Sequence, residues 1–218
     1  MIDAETFWTL PRGSKPATLF TEILPQIPPL AGIFTLNVPS SVHVLGSGGG
    51  EWSVSIADGV AVVEEGAAAD VVTRVSLSRK HLREVVGGAL RERGVALMKR
   101  LGKPGAFPDL TILPVDPSRL TAVAAIGGSI AIEVHDRDVR DSYRFVVSFG
   151  SGPAQYDNAT TTVHIDADEV VDQVVAGASI SALLKGSRVR VEGDLGLPLR
   201  ALRAAFGAAA LDKGKASR

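Results

Sequence analysis

The chain has 218 residues, with 23 basic and 24 acidic side chains that leave a net charge of -1, so it offers no basic footprint for nucleic acid or an anionic membrane. Its length suits one large domain or two of about 100 residues each. There is no cysteine, which excludes disulfides, thiolate metal ligands and thiol nucleophiles together. Apolar residues make up 45% but aromatics only 5%, so the interior must be built from Val, Ala, Leu and Ile, which can pack densely or leave a smooth apolar cavity.

Residues 1 to 15 carry Pro11, Gly13 and Lys15 with little periodicity and read as a loose arm. The N-terminal Met1-Ile-Asp-Ala-Glu-Thr-Phe-Trp8 has acids where a secretion signal needs basic residues. No apolar run approaches the roughly 20 residues that cross a bilayer, so a soluble, cytoplasmic protein without an integral membrane segment is expected. Thr18 to Ile27 places Leu19, Phe20, Ile23, Leu24 and Ile27 at helical spacing, with Thr18 available as a cap, and Pro25 and Pro28 keep the helix short. From Ile33 the period falls to two. Phe34, Leu36 and Val38 form one strand face and Trp52, Val54 and Ile56 the next, with Gly46-Ser-Gly-Gly-Gly50 as the hairpin loop between them. Asp58-Gly59 turns the chain into a strand from Val60 to Glu65, ended by Gly66, and Val71 to Leu77 supplies a fourth. Ser78 caps a helix through Leu82, Val85 and Val86, and a second helix runs from Leu90 to Leu101. Gly102 to Pro117 reads as a connector, with a boundary near Asp116.

The second half opens on a short helix, Ser118 to Ile126, closed by Gly127-Gly128. Three strands follow; Phe145, Val147 and Phe149 share a face of the second, Val163 and Ile165 a face of the third. Asp166 caps a helix from Ala167 to Ala176 with Val170, Val171, Val174 and Val175 as its stripe. Ser179 to Leu184 makes one or two helical turns. Val189 to Asp194 is a short strand whose Arg188, Arg190 and Glu192 face away from its valines. Leu195 to Leu211 is a closing helix with a stripe of Leu199, Leu202, Ala205, Phe206 and Ala209, and Lys213 to Arg218 frays.

The two halves repeat one order of segments. Gly32-Ile-Phe-Thr-Leu-Asn-Val38, Trp52-Ser-Val-Ser-Ile-Ala-Asp-Gly59, Arg74-Val-Ser-Leu-Ser78 and Leu82-Arg-Glu-Val-Val-Gly-Gly88 are matched by four segments of the second half. These are Gly128-Ser-Ile-Ala-Ile-Glu-Val134, Tyr143-Arg-Phe-Val-Val-Ser-Phe149, Thr162-Val-His-Ile-Asp166 and Val171-Asp-Gln-Val-Val-Ala-Gly177. The reading divides the chain into an arm at 1–15, halves at 16–115 and 116–212, and a tail at 213–218.

This pattern resembles the sterol carrier protein 2 family. The resemblance rests on the aromatic-led strand and hairpin at Trp52 to Gly59, on Ala69-Asp-Val-Val72 with the strand-to-helix step at Leu77-Ser78, and on Leu183-Leu-Lys-Gly-Ser-Arg-Val-Arg-Val-Glu-Gly-Asp194 before the terminal helix. It spans roughly residues 18 to 210 and its motifs are moderately specific. The chain departs from it twice: no Val-x-Val-x-Gly-Asp strand follows Leu101, and Gly150-Ser-Gly152 stands where the second half should have an Asp-Gly hairpin. The resemblance implies an α+β fold of two units, each a twisted, mostly antiparallel sheet covered by helices. It also implies a tunnel for fatty acyl chains, sterols or other long apolar molecules.

Phe145, Val147, Val163, Val174, Leu183, Leu184, Leu199, Leu202 and Phe206 are then candidate ligand-binding residues, against the alternative that they are ordinary core. Gly46 to Gly50 lacks the Lys-Ser or Lys-Thr and the helix of a phosphate loop. His43, His81, His135 and His164 are scattered with no ligand spacing, so no metal or other cofactor is expected. His135-Asp136-Arg137-Asp138 reads as a solvated turn, and Asp166, Asp168, Glu169 and Asp172 as an acidic helix start. Arg188 and Arg190 read as the wet face of an edge strand. With no Gly-x-Ser-x-Gly elbow and no Ser, His and Asp constellation, the expected function is non-catalytic binding or transfer of a lipid-like molecule. The rivals are a structural or partner-binding module with a filled cavity, as in a homodimer, and an accessory protein that presents a lipid to a modifying enzyme.

Overall fold

The structure, a computed structural model, describes residues 9–26, 40–57, 60–100, 102, 117–153, 155–169 and 189–207. Eight strands, β1 Ser40–Leu45, β2 Gly50–Ala57, β3 Val60–Glu65, β4 Thr73–Ser78, β5 Ser129–Asp136, β6 Asp141–Phe149, β7 Thr161–Asp166 and β8 Arg190–Gly193, form one sheet in the order β3-β2-β1-β4-β6-β5-β7-β8. Helices α1 Arg79–Gly87, α2 Ala89–Arg100, α3 Leu120–Ala124 and α4 Leu197–Phe206, with an N-terminal π-helical segment Thr18–Ile23, complete an α+β fold. The strand pairings are antiparallel except β1 with β4 and β5 with β7.

The strands fall into two groups of like connectivity. The hairpin β1–β2 is followed by β4, which returns parallel to β1; the hairpin β5–β6 is followed by β7, which returns parallel to β5. Rather than forming a sheet each, the groups join edge to edge through β4 and β6, from Thr73 opposite Phe149 to Leu77 opposite Phe145.

Period-two alternation sorts the side chains, because opposite partners in the ladder point the same way. Trp52, Val42, Val75, Val147 and Ile130 lie across one face of the sheet, as do Leu77, Phe145, Ile132 and Val163. Ser41, Arg74 and Ser148 lie across the other, and so do Arg144, Glu133 and His164. The second face is close-packed where its residues are small: Ser41, Ser76, Ala131 and Val146 are each fully buried.

The first described strand is one that the sequence reading did not place. β1 occupies Ser40–Leu45, a stretch that opens on two serines, and the strand expected on Phe34, Leu36 and Val38 lies outside the described residues. Tertiary bonding overrides local preference here. The buried Ser41 hydroxyl donates to Glu51 at 3.2 Å and accepts from Arg74 Nε at 3.0 Å, so strand neighbours satisfy a side chain that would otherwise favour a turn.

Helix ends follow local chemistry. The Ser78 hydroxyl accepts the His81 N–H at 3.1 Å and caps α1; Ser78→Ala is expected to cost about 1 kcal/mol, read as a lower urea midpoint at unchanged m-value. Glu84 accepts the Ala89 N–H at 3.1 Å and opens α2, and the Asp166 carboxylate accepts the Asp168 N–H at 3.0 Å. Thr18 does not act as a cap: the helix has begun by Pro16, and its hydroxyl donates to Glu22 instead. Leu19, Ile23, Val44, Trp52, Leu77 and Leu82 pack beneath the N-terminal segment and α1. Ile130, Val163, Ile165 and Leu197 pack beneath α4, and Val72 with Val123 beneath α3.

The face that α4 turns to the core is Leu197, Ala201, Ala204 and Ala205. Leu199 of the expected stripe is 46% exposed. Helical spacing alone suited both sets; Leu197, 1% exposed, selects the phase.

Candidate functional site

Two kinds of site lie on the two faces of the sheet. On the apolar face buried and partly buried residues share the same strands. Val44, Leu77, Ile130, Tyr143 and Val163 are buried, while Val42, Val75, Val147, Phe145 and Ile132 are only partly buried. Among the described residues, Val75 and Val147, opposite each other across the β4–β6 seam, join none of the packed apolar clusters. Val75 and Val147 thus form, among the described residues, a partly buried apolar pair, a strip between the cluster of Trp52 and Leu77 and that of Ile130 and Val163.

Phe145, Val147 and Val163 of the expected ligand residues stand on this face. Val163 is packed into the cluster under α4 and Phe145 borders two clusters, so Val147 is the one that faces the strip most openly. Leu202 is partly buried on α4. Val174, Leu183 and Leu184 lie outside the described residues, as does the side chain of Phe206.

The polar face carries a cluster that spacing along the chain does not reveal. Glu133 and His135 alternate on β5; the parallel register sets His164 of β7 beside Glu133, and the hairpin sets Ser142 beside His135. His135 Nε2 and His164 Nδ1 lie 3.0 Å apart although 29 residues separate them. Glu133 Oε2 is 3.3 Å from His164 Nδ1, and its other oxygen pairs with Arg144. One ligand atom from each of Glu133, His135 and His164 lies within 4.8 Å of the others, the span of a metal-binding trio. Two of the four histidines, His135 and His164, are therefore not scattered, and the residues missed by the sequence reading are Glu133, Ser142 and Arg144. Their only signal was a Glu-x-His alternation, which means nothing until the partner strand and its register are known.

The turn after β5 is solvated at Arg137 and Asp138, 82% and 78% exposed, but not at its root, Asp136. The Asp136 side chain is fully buried and accepts from Arg93 Nε at 2.8 Å and Nη2 at 2.6 Å, as well as from the Asp138 N–H at 3.0 Å. Hydrogen bonding from Arg93 holds this carboxyl below the ordinary Asp range despite the burial that opposes it. Arg93 also binds Asp138 and Asp168, which ties α2 to the C-terminal ends of both β5 and β7. Arg190 and Glu192 of β8, 70% and 53% exposed, pair with each other on a wet edge strand, as expected.

No protein-family model matches the chain, and no curated protein matches it. Solved structures similar to parts of it include a sterol carrier protein 2 from Yarrowia lipolytica in apo form, 14% identical over 39% of this chain and 80% of that one, with a TM-score of 0.28. A sterol carrier protein domain 2 of Helicoverpa armigera is 11% identical over 56% of this chain and 84% of that one, with a TM-score of 0.29. Overlap this low supports no argument about fold or function, which rest on the sheet and its two faces.

Proposed function

We propose that the protein reversibly binds a long-chain lipid, fatty acyl or sterol-like molecule along the apolar strip of β4 and β6, and that it does so without catalysis. The observation that carries this reading is the partial burial of Val75 and Val147, which among the described residues stand apart from the packed apolar clusters. A ligand lying there gains about 0.8 kcal/mol for each methylene removed from water, about fourfold in affinity per carbon. Affinity then grows with chain length and discriminates weakly among head groups.

The twofold recurrence of a hairpin followed by a parallel strand supports a tandem of two related units with a boundary near Asp116. Among the described residues the second unit has no counterpart of β3 and the first none of β8; the two edges so left meet as β4 and β6. The two departures noted in the sequence are what this junction requires. Among the described residues no helix is long and apolar enough to cross a membrane, and a cytoplasmic carrier is the form of the proposal.

The test is binding of a fluorescent fatty acid, with native mass spectrometry of the purified protein, on the wild type and Val147→Trp. If the strip is open, the indole occupies it, the melting temperature holds or rises, and affinity falls at least about tenfold. If the strip is filled, the extra bulk overpacks the interior and costs about 1–3 kcal/mol of stability, and the wild type binds no fatty acid. That second outcome leaves a structural or partner-binding module. Recovery of a lipid-modifying enzyme with the ligand-loaded protein would instead make it an accessory that presents the lipid.

A further inference from the structure

The geometry points to a divalent transition-metal site on the polar face of the sheet, with Glu133 Oε2, His135 Nε2 and His164 Nδ1 as ligands. This does not rest on the lipid reading, since the trio lies on the opposite face of the sheet.

The argument begins with the two imidazoles. Their planes lie within 13° and their centroids are 5.3 Å apart, while the facing nitrogens are 3.0 Å apart; the rings meet edge to edge, nitrogen to nitrogen. The outer nitrogen of each ring has a neighbour able to accept its N–H. His135 Nδ1 lies 2.9 Å from the Ser142 hydroxyl, an acceptor for its N–H. His164 Nε2 is buried and lies 3.3 Å from Glu192 Oε2, off the line of a formed hydrogen bond, so a small ring rotation turns its N–H toward that carboxylate. With both outer nitrogens protonated, the two inner ones present lone pairs to each other, beside a carboxylate oxygen at 3.3 Å. Three electron-rich donors in one place call for a cation.

The separations suit one. Donors 3.0 and 3.3 Å apart subtend about 90–105° at an ion about 2.1 Å from each. Two imidazoles and one carboxylate are a donor set for zinc and its first-row neighbours rather than for calcium or magnesium, which take oxygen. Three protein ligands leave a position for water. Loading swings the rings so that the lone pairs converge off the present nitrogen-to-nitrogen line. Arg144 acts as a support: it pairs with the outer oxygen of Glu133 and donates to the Tyr156 carbonyl at 3.1 and 3.2 Å. Its charge moderates the affinity, and Ser142 and Glu192 orient the rings in the manner of supporting groups at known metal centres.

The test titrates the full chain, stripped with EDTA, with zinc by calorimetry and with cobalt by visible absorption. The expected result is one ion per chain and a cobalt spectrum with nitrogen and oxygen ligation. His135→Gln and His164→Gln should each weaken zinc binding by more than the roughly 10–100-fold that loss of a supporting group costs. Ser142→Ala should fall within that range, and His43→Gln, on the same face but outside the cluster, should bind as the wild type does. Should a glutamine variant fail to fold, paramagnetic broadening by cobalt in the wild type must centre on Ser142, His164 and Glu192. Absence of saturable binding, uptake unchanged in both glutamine variants, or broadening centred elsewhere would overturn the site and leave a plain His–His hydrogen bond.

Discussion

Arg93→Ala is expected to destabilise the protein by about 3–5 kcal/mol, because it leaves the Asp136 carboxylate buried without its counter-charge. Against a total stability of about 5–15 kcal/mol, that is enough to unfold a marginal domain. The pair is fully desolvated on one side only: Asp136 is 0% exposed and Arg93 19%. Its acid dependence has a definite sign. Arg93 lowers the native pKa of Asp136 below the unfolded value of about 3.9, so the contribution is fully present above that value and is lost as pH falls through the lower native one. Urea denaturation of wild type and variant should therefore differ most above about pH 5 and begin to converge only as the pH falls below about 4 toward the lower native value. A constant difference across that range would show that the loss comes from packing rather than from the charge pair. Asp136→Asn keeps the shape and part of the hydrogen bonding and should cost less than removal of the arginine.

Trp52→Ala is expected to cost about 3–5 kcal/mol as a large-to-small change in a closed core. Trp52 is 2% exposed and stacks on Phe20 with ring centroids 4.7 Å apart and planes within 15°. It thereby fastens the N-terminal segment, through Leu19 and Ile23, to β1, β2 and β4. The same substitution should raise amide exchange across Thr18–Ile23 before it affects the distant β5–β7 pair. Its indole N–H is buried with no partner among the described residues, so Trp52→Phe, which removes that donor, should recover most of the loss. Equal exchange throughout the sheet in Trp52→Ala would mean that this cluster and the one under α4 unfold as one cooperative unit.

The two faces of the sheet were unequally visible beforehand. Strands whose alternation combined branched or aromatic residues with a turn, such as Trp52 to Ile56 before Asp58-Gly59, could be read because a single face of each was apolar. β1 could not. Ser40 and Ser41 carry no hydrophobic signal, and their strand exists because β2 and β4 flank it and Arg74 and Glu51 satisfy Ser41. The closing helix was visible as a helix but not in phase, since leucines and alanines alternate on it closely enough for two stripes to compete. Leu197 won by fitting between Ile130, Val163 and Ile165.

The candidate sites divide in the same way. Val147 and Phe145 could be named from period two alone, although whether anything covers them is a property of the assembled layers. Glu133, His135 and His164 could not be assembled, because a parallel register sets which residues of two distant segments become neighbours, and no local pattern encodes that offset.

By itself, then, the amino-acid sequence determined the class of fold, the positions of most elements and the existence of an apolar and a polar side to each strand, since these follow from periodicity, caps and turn residues acting over a few positions. Only the tertiary structure decided that two strand groups merge along β4 and β6 into one sheet, and that Asp136 is buried against Arg93. It alone brought two histidines and a glutamate within reach of one ion. Each of these depends on long-range pairing, where the free energy of many contacts selects among registers that short-range propensity leaves equal.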